Sequence, residues 1–300
     1  MNQIYWNYII VFYLFSAGIS AGAVLVGSIA KLTDAGKYRQ TAKTAALIAP
    51  FPIMAGMLGL VYDLEKPLYF WRLLTHFEPT SVMSVGAWII FLFSIISTVN
   101  FIVVLPERYD YLKIRNLFDV ALLSRLINVS GFILAFVTAT YTGLLLSTLV
   151  ARPLWNSPVL PLMFMFSAVI DGIAVVRLIH MFSKSEDVQQ DNHLLHIMDI
   201  VLLFLLLLSL LLFLFGLYNS SEYARGSLSV VLSGELRVSF LIGVLLLGII
   251  VPALYGVYEF FSGNAQSGSF KIIALLCTLI GGYMLRYVAI YAGQITGVVF

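Results

Sequence analysis

Eight runs of apolar residues, each about as long as a bilayer core is thick, decide what this 300-residue chain can become. A transmembrane helix takes about twenty predominantly apolar residues. The runs lie near residues 8–30, 44–62, 82–104, 120–149, 159–181, 197–218, 239–258 and 271–293. Apolar residues make up 61% of the chain and charged residues 11%, which leaves too little polar surface to coat a soluble domain. The longest polar connectors run to about twenty residues, so no separate soluble domain fits between spans. The expected fold is all-α: a polytopic membrane protein of eight transmembrane helices, one integral membrane domain over residues 1–300.

The basic residues sort by side. Connectors on one side carry Lys31, Lys37, Arg39, Lys43, Arg108, Lys113, Arg115, Arg125, Lys184 and Lys271; the other side carries Lys66, Arg72, Arg152, Arg225 and Arg237. An excess of Lys and Arg marks the cytoplasmic side. Both termini and the 63–81 segment are therefore expected outside, in the periplasm of a bacterium whose inner membrane the chain crosses. The N-terminus lacks a basic region ahead of its first apolar run, so that run reads as a retained helix rather than a cleaved signal. A net charge of +2 gives no basis for a nucleic-acid partner. The single Cys277 can build neither a disulfide framework nor an iron–sulfur cluster.

The connector between spans two and three concentrates chemistry. Asp63 to Trp88 holds acids, bases, His76, two prolines and several aromatics between two bilayer-length runs. Pro79, Thr80 and Ser81 open span three, with Thr80 or Ser81 as helix cap or the three residues as part of a partner interface. Arg152 and Trp155, in the next outer connector, divide between interfacial anchoring and docking.

Ionisable groups also lie within the spans, where they are costly and face protein or a wet cavity. Asp171 and Arg177 fall in span five, Arg286 in span eight, Asp199 at the start of span six, and Asp119 and Arg125 at the start of span four. Gly282, Arg286, Ala289 and Gly293 share one helical face, as do Ser167, Ala168, Asp171, Ala174 and Val175. Two readings stand: helix-to-helix glue with a buried Asp171–Arg286 pair, or a proton path through Asp171, Arg177 and Arg286. Arg177 is expected to reach the interface by its long stem. Gly18 and Gly22 on span one have the spacing of close helix packing.

A membrane haem needs axial histidines within helices. His193 and His196 read as connector residues, His76 lies in the outer connector and His180 ends span five, so haem and a metal site are not expected. Near the outer ends of their helices lie Tyr13, Asp63, His76 and Tyr141. A quinone head needs donors for its carbonyls and an acceptor for the quinol proton, and these side chains supply both.

The run P-T-S-V-M-S-V-G-A-W (Pro79–Trp88) resembles the P-T-S…G-x-W signature of the NrfD/PsrC family of membrane subunits. Y-L-F-S-A-G-I-S-A-G (Tyr13–Gly22), D-L-E-K-P (Asp63–Pro67), Y-T-G-L-L-L-S (Tyr141–Ser147), R-P-L-W-N (Arg152–Asn156) and M-L-R-Y-V-A-I-Y-A-G-Q (Met284–Gln294) agree in order, and the chain is most similar to the NrfD branch. The resemblance implies two four-helix bundles, residues 1–150 and 151–300, with no covalently bound cofactor. It implies a subunit that oxidises quinol, often menaquinol, from the membrane quinone pool. Electrons would pass to a four-iron-four-sulfur ferredoxin-like partner and through it to a periplasmic reductase. It further implies Tyr141 and Asp63 as the reacting contacts, Asp63 as proton acceptor, and Tyr13 where relatives carry His; Ile10 stands where an Asn is sought one turn earlier. The rival is a proton or solute transporter, or a hybrid in which quinone chemistry drives proton translocation. Solute transporters usually show inverted repeats with matching helix breaks, and Pro50, Pro52, Pro158 and Pro161 do not form matching halves.

Overall fold

Length and hydropathy alone pick out eight helices able to cross a membrane: Tyr8–Asp34, Arg39–Asp63, Val82–Val104, Ser124–Ser147, Leu160–His180, His193–Asn219, Ser239–Phe261 and Gly268–Ile295, called here spans one to eight. The computed structural model describes residues 6–105, 121–182, 187–262 and 268–295, apart from the side chains of 121–123, 187–192 and 262. Arg108, Lys113, Arg115, Asp119 and Lys184 lie outside the described residues. No strand occurs among the described residues, and the eight spans match the eight apolar runs to within several residues at each end.

Two spans depart from a plain α-helix. Span two is a helix over Arg39–Ile48 and another over Pro50–Asp63. Pro50 and Pro52 have no N–H to give back to the preceding turn, and Ser20 of span one donates to the adjacent Ala49 carbonyl at 2.5 Å. Span seven opens with a π-helix over Ser239–Ile250 and becomes α over Val251–Ser262. Pro252, which cannot donate to Gly248, stands where the wider register ends.

Spans one and five form the centre of the molecule. Span one packs on spans two, four, five and eight, and span five on spans one, four, six and eight. Their backbones touch because glycines face each other. A Cβ on Gly22 would fall on the Ala168 carbonyl, and one on Gly172 would fall on the backbone of Gly22 and Ala23. Spans seven and eight meet likewise at Gly248 and Gly281. The outer spans turn Leu92, Ile95, Phe204 and Phe215 away from the protein, as lipid requires.

Gly216 on span six has nothing within 4 Å of the place its Cβ would take. Gly216→Ala should therefore hold or raise the melting temperature, since Ala is favoured in a helix interior by up to about 1 kcal/mol. Gly172→Ala should lower it, because overpacking costs about 1–3 kcal/mol. Thermal unfolding of the purified protein in detergent measures both.

Candidate functional site

The two ends of the described chain meet on one face. Gln294, at the end of span eight, accepts from the Trp6 N–H at 2.8 Å and donates to the Trp6 carbonyl at 3.0 Å. The Trp6 ring stacks on Trp155 with centroids 5.3 Å apart. Trp155 donates to the Ala289 carbonyl at 2.7 Å and lies where a Cβ on Gly293 would be. Arg152 donates to the Gln294 carbonyl at 3.0 Å. Trp155 is thus buried among the chain's own residues, and Arg152 ties its connector to span eight.

Asp63 is brought to the same face. Asn7 caps span one, its Oδ1 accepting from the Ile9 N–H at 2.8 Å, and its Nδ2 donates to Asp63 Oδ1 at 2.7 Å. Tyr13 and Tyr141 lie below this level and are buried, 5% and 6% exposed. The Tyr141 ring occupies the space a side chain at Gly86 would fill, and its hydroxyl donates to the Val82 carbonyl at 3.2 Å. The glycine of the G-A-W triplet is therefore a slot for Tyr141. Tyr13 packs on Gly56 and lies within electrostatic reach of Tyr141. Asp63 stands seven residues beyond Gly56, about 10 Å further along the helix axis. The fold buries Tyr13 and Tyr141 within electrostatic reach of each other, sets Asp63 above the level of Tyr13, and leaves His76 exposed with Nδ1 3.1 Å from the Thr75 hydroxyl.

The connector itself is a knitted surface. Ser81 caps span three, accepting from the Ser84 N–H at 3.4 Å. Ser84 Oγ accepts from the Glu78 N–H at 3.0 Å and donates to the His76 carbonyl at 3.4 Å, while Thr80 donates to Glu78 at 2.7 Å. Pro79 and Thr80 are exposed beside this cap. A groove of about 700 Å³ runs between the connector and span three, lined by Tyr69, Trp71, Arg72, His76, Ser81 and Ser84 among others. Leu68, Phe70, Trp71 and Phe77 are exposed here, and Arg72 stacks over Tyr69 at 4.9 Å.

Two ionic groups lie deeper. Arg286, 1% exposed, donates through one nitrogen to Asp171 at 3.0 Å, Ser167 at 3.1 Å and the Gly282 carbonyl at 2.7 Å. The rings of Phe15 and Phe164 lie within 6 Å of its guanidinium carbon, and Gly18 and Gly282 leave the room that Arg286 and Asp171 occupy. The spacing of Gly18 and Gly22 therefore serves close packing. Asp171 Oδ1 has no hydrogen-bond partner among the described residues, and beside it, under the π-helix, lies a cavity with space for about one water.

The second group corrects the expectation for Arg177. It does not reach for the interface; it is 0% exposed and clamped between Asp199 at 3.4 Å and Glu259 at 2.5 Å. Glu259 also meets His196 Nδ1 at 2.9 Å and Lys271 at 3.9 Å. His196 is not a connector residue: it is a buried member of the helix Asp187–Asn219. The sequence reading missed Glu259, the one acid in span seven, near its C-terminal end. An acid there, level with Arg177 of span five and Lys271 of span eight, was the available signal. It also missed Asn7, whose capping role is visible in an Asn placed just before an apolar run.

The family described as Polysulphide reductase, NrfD matches residues 1–298. The C subunit of the polysulfide reductase of Wolinella succinogenes is 32% identical over 303 residues, covering 98% of this chain and 95% of that protein. Protein NrfD of Escherichia coli is 29% identical, covering 98% of this chain and 96% of that protein. The Hdr-like menaquinol oxidoreductase integral membrane subunit of Archaeoglobus fulgidus is 24% identical over 175 residues, covering 58% of this chain and 41% of that protein.

The buried pair makes a stability prediction. Arg286→Met leaves Asp171 uncompensated and should cost about 3–5 kcal/mol, whereas the double variant Asp171→Leu, Arg286→Met should recover most of that loss. Detergent melting curves of the two variants beside the parent measure the difference.

Proposed function

This chain belongs to the NrfD family of polysulphide reductase membrane proteins, and from that membership and the site geometry we propose that it is the quinol-oxidising subunit of a respiratory oxidoreductase complex. The observation that carries this reading is the buried Tyr141 ring seated at Gly86 with its hydroxyl on the Val82 carbonyl, together with buried Tyr13 at Gly56 and Asp63 about two turns above that level, on the face where both ends of the described chain meet. The quinol is an exchangeable substrate. The Tyr141 hydroxyl, whose present acceptor is a main-chain carbonyl, can turn to a ring oxygen, and Tyr13 walls the other side. Oxidation releases two electrons and two protons. Asp63 accepts the protons one at a time and returns each to water at the open face, acting as general base. The electrons leave to an iron–sulfur partner docked on the exposed connector around Phe70, Phe77, Pro79 and Thr80, an apolar surface of the kind that marks an interaction site. Arg152 and Trp155 hold that face in shape from within. The excess of basic residues on the opposite connectors supports a periplasmic placement of the site and both termini in a bacterial inner membrane.

A second activity, proton transfer through Asp171, Arg177 and Arg286, is favoured by the water-sized cavity at the unpartnered Asp171 oxygen. In proteoliposomes of the whole complex, Asp171→Asn should lower the protons moved per electron while quinol oxidation continues. Unchanged coupling would leave the pair as helix glue alone.

For the main reading, Asp63→Asn and Tyr141→Phe should insert and assemble normally yet lose quinol-dependent reduction of the partner by about 100-fold or more, the scale of a lost acid–base group. Stopped-flow reduction of the partner's iron–sulfur absorbance measures it. Parental rates in both would discard this site.

A further inference from the structure

Asn7 makes two hydrogen bonds with the two ends of one amide. Oδ1 accepts from the Ile9 N–H and Nδ2 donates to Asp63 Oδ1. A main-chain donor on one side and a carboxylate on the other leave no doubt about which end of the amide is which. We propose that Asn7 is the positioning residue of Asp63, fixing which carboxylate oxygen takes the quinol proton. The role rests on the quinol-oxidising reading above.

Three observations support it. Asp63 has no other hydrogen bond or ion pair among the described residues, so Asn7 alone holds the carboxylate. Asn7 is itself immobilised from both directions, by the capped helix ahead and by Trp6 behind, whose N–H and carbonyl are both taken by Gln294 and whose ring lies on Trp155. A side chain tied to a fixed backbone and to its own helix turn has one direction left for its Nδ2–H. Asp63, in contrast, ends its helix at a point where the chain turns into an extended residue, Leu64. With Oδ1 engaged by a donor that cannot receive a proton, Oδ2 becomes the accepting atom. That is the arrangement a general base needs, since its efficiency depends on reach before anything else. Beside Tyr62 on its own helix, the titratable groups at the Asp63 end of the elements packed against that helix are Tyr8 and Tyr13 on span one, Glu65 and Lys66 on the turn that follows, and Tyr69 on the next turn; Lys31, Asp34, Arg39 and Lys43 lie at the opposite end, and span three carries none.

Asn is also an ordinary helix cap, and the test separates the two roles. Asp and Ser cap as well as Asn does, so Asn7→Asp and Asn7→Ser should both assemble and melt close to the parent. Asn7→Asp replaces the donor by a second carboxylate beside Asp63. Two carboxylates sharing a site resist being ionised together, so the acid limb of quinol turnover should move to higher pH by about one unit. Turnover should fall by up to about tenfold on the acid side of the limb and match the parent on the alkaline side. Asn7→Ser keeps the cap but is too short to hold Asp63. It should lower kcat by about tenfold with KM little changed and the acid limb in place, a loss of orientation rather than of binding. The measurements are steady-state quinol oxidation by the whole complex between pH 4 and pH 9, with Asp63→Asn alongside. Parental rates and pH profiles in both Asn7 variants, with Asp63→Asn inactive, would reduce Asn7 to a cap and overturn the proposal while the site reading stands. Normal turnover in Asp63→Asn would overturn both.

Discussion

The backbones of spans one and five touch at Gly22, Ala168 and Gly172, and the remaining spans are arranged around that contact. In lipid no hydrophobic drive favours helix against helix, so close packing and polar contacts between helices must hold the protein together. Glycine at this crossing removes the side chains that would hold the helices apart, and the same closeness brings Gly18 over Arg286. Without that approach the guanidinium would have no enclosed place in which to meet Asp171, Ser167 and the Gly282 carbonyl at once. The crossing thus carries both the packing and the one charged pair that sits on the axis of the molecule.

Small residues recur as recesses for particular large ones. Gly86 receives the Tyr141 ring, Gly282 the Asp171 carboxylate and Gly293 the Trp155 indole. Each pairing joins two different segments of the chain, and each places a polar atom where it finds a main-chain or side-chain partner: the Val82 carbonyl for Tyr141, Arg286 for Asp171, the Ala289 carbonyl for Trp155. A buried polar group costs least when it is hydrogen-bonded. The recesses make that geometry possible in a medium that offers no water.

Much of this was legible in the amino-acid order because the bilayer leaves few options. Eight runs of about the right length had to become eight helices, and the small-residue faces of spans five and eight pointed to the Asp171–Arg286 contact. Pairings that depend on relative depth were not legible. Arg177 looked like a surface-seeking side chain, and only the vertical register of spans six and seven puts Asp199 and Glu259 beside it. The π-helix over Ser239–Ile250 has no compositional mark; it reflects the approach of Gly248 to Gly281 together with the missing donor of Pro252. Trp155 looked like an interfacial anchor, because a sequence does not reveal that Gly293 lies beneath it. At the site itself, the tyrosines and Asp63 stood out by residue type and family pattern, but Asn7, 56 residues from its partner, was visible only as a cap.

The clasp between Trp6 and Gln294 has a bearing on how the protein is made. Membrane helices enter the bilayer in order as synthesis proceeds, and domains begin to fold before the chain is complete. Tyr13, Asp63 and Tyr141 all belong to the first four spans and are in place early. The residue that secures the segment in front of them comes from the last turns of span eight. A nascent chain therefore holds Tyr13, Asp63 and Tyr141 for about the second half of its synthesis before Gln294 arrives to clasp Trp6. The final span acts as the latch of the first one, so a truncated or misinserted span eight would leave an inserted, helical protein with its first described residues unclasped.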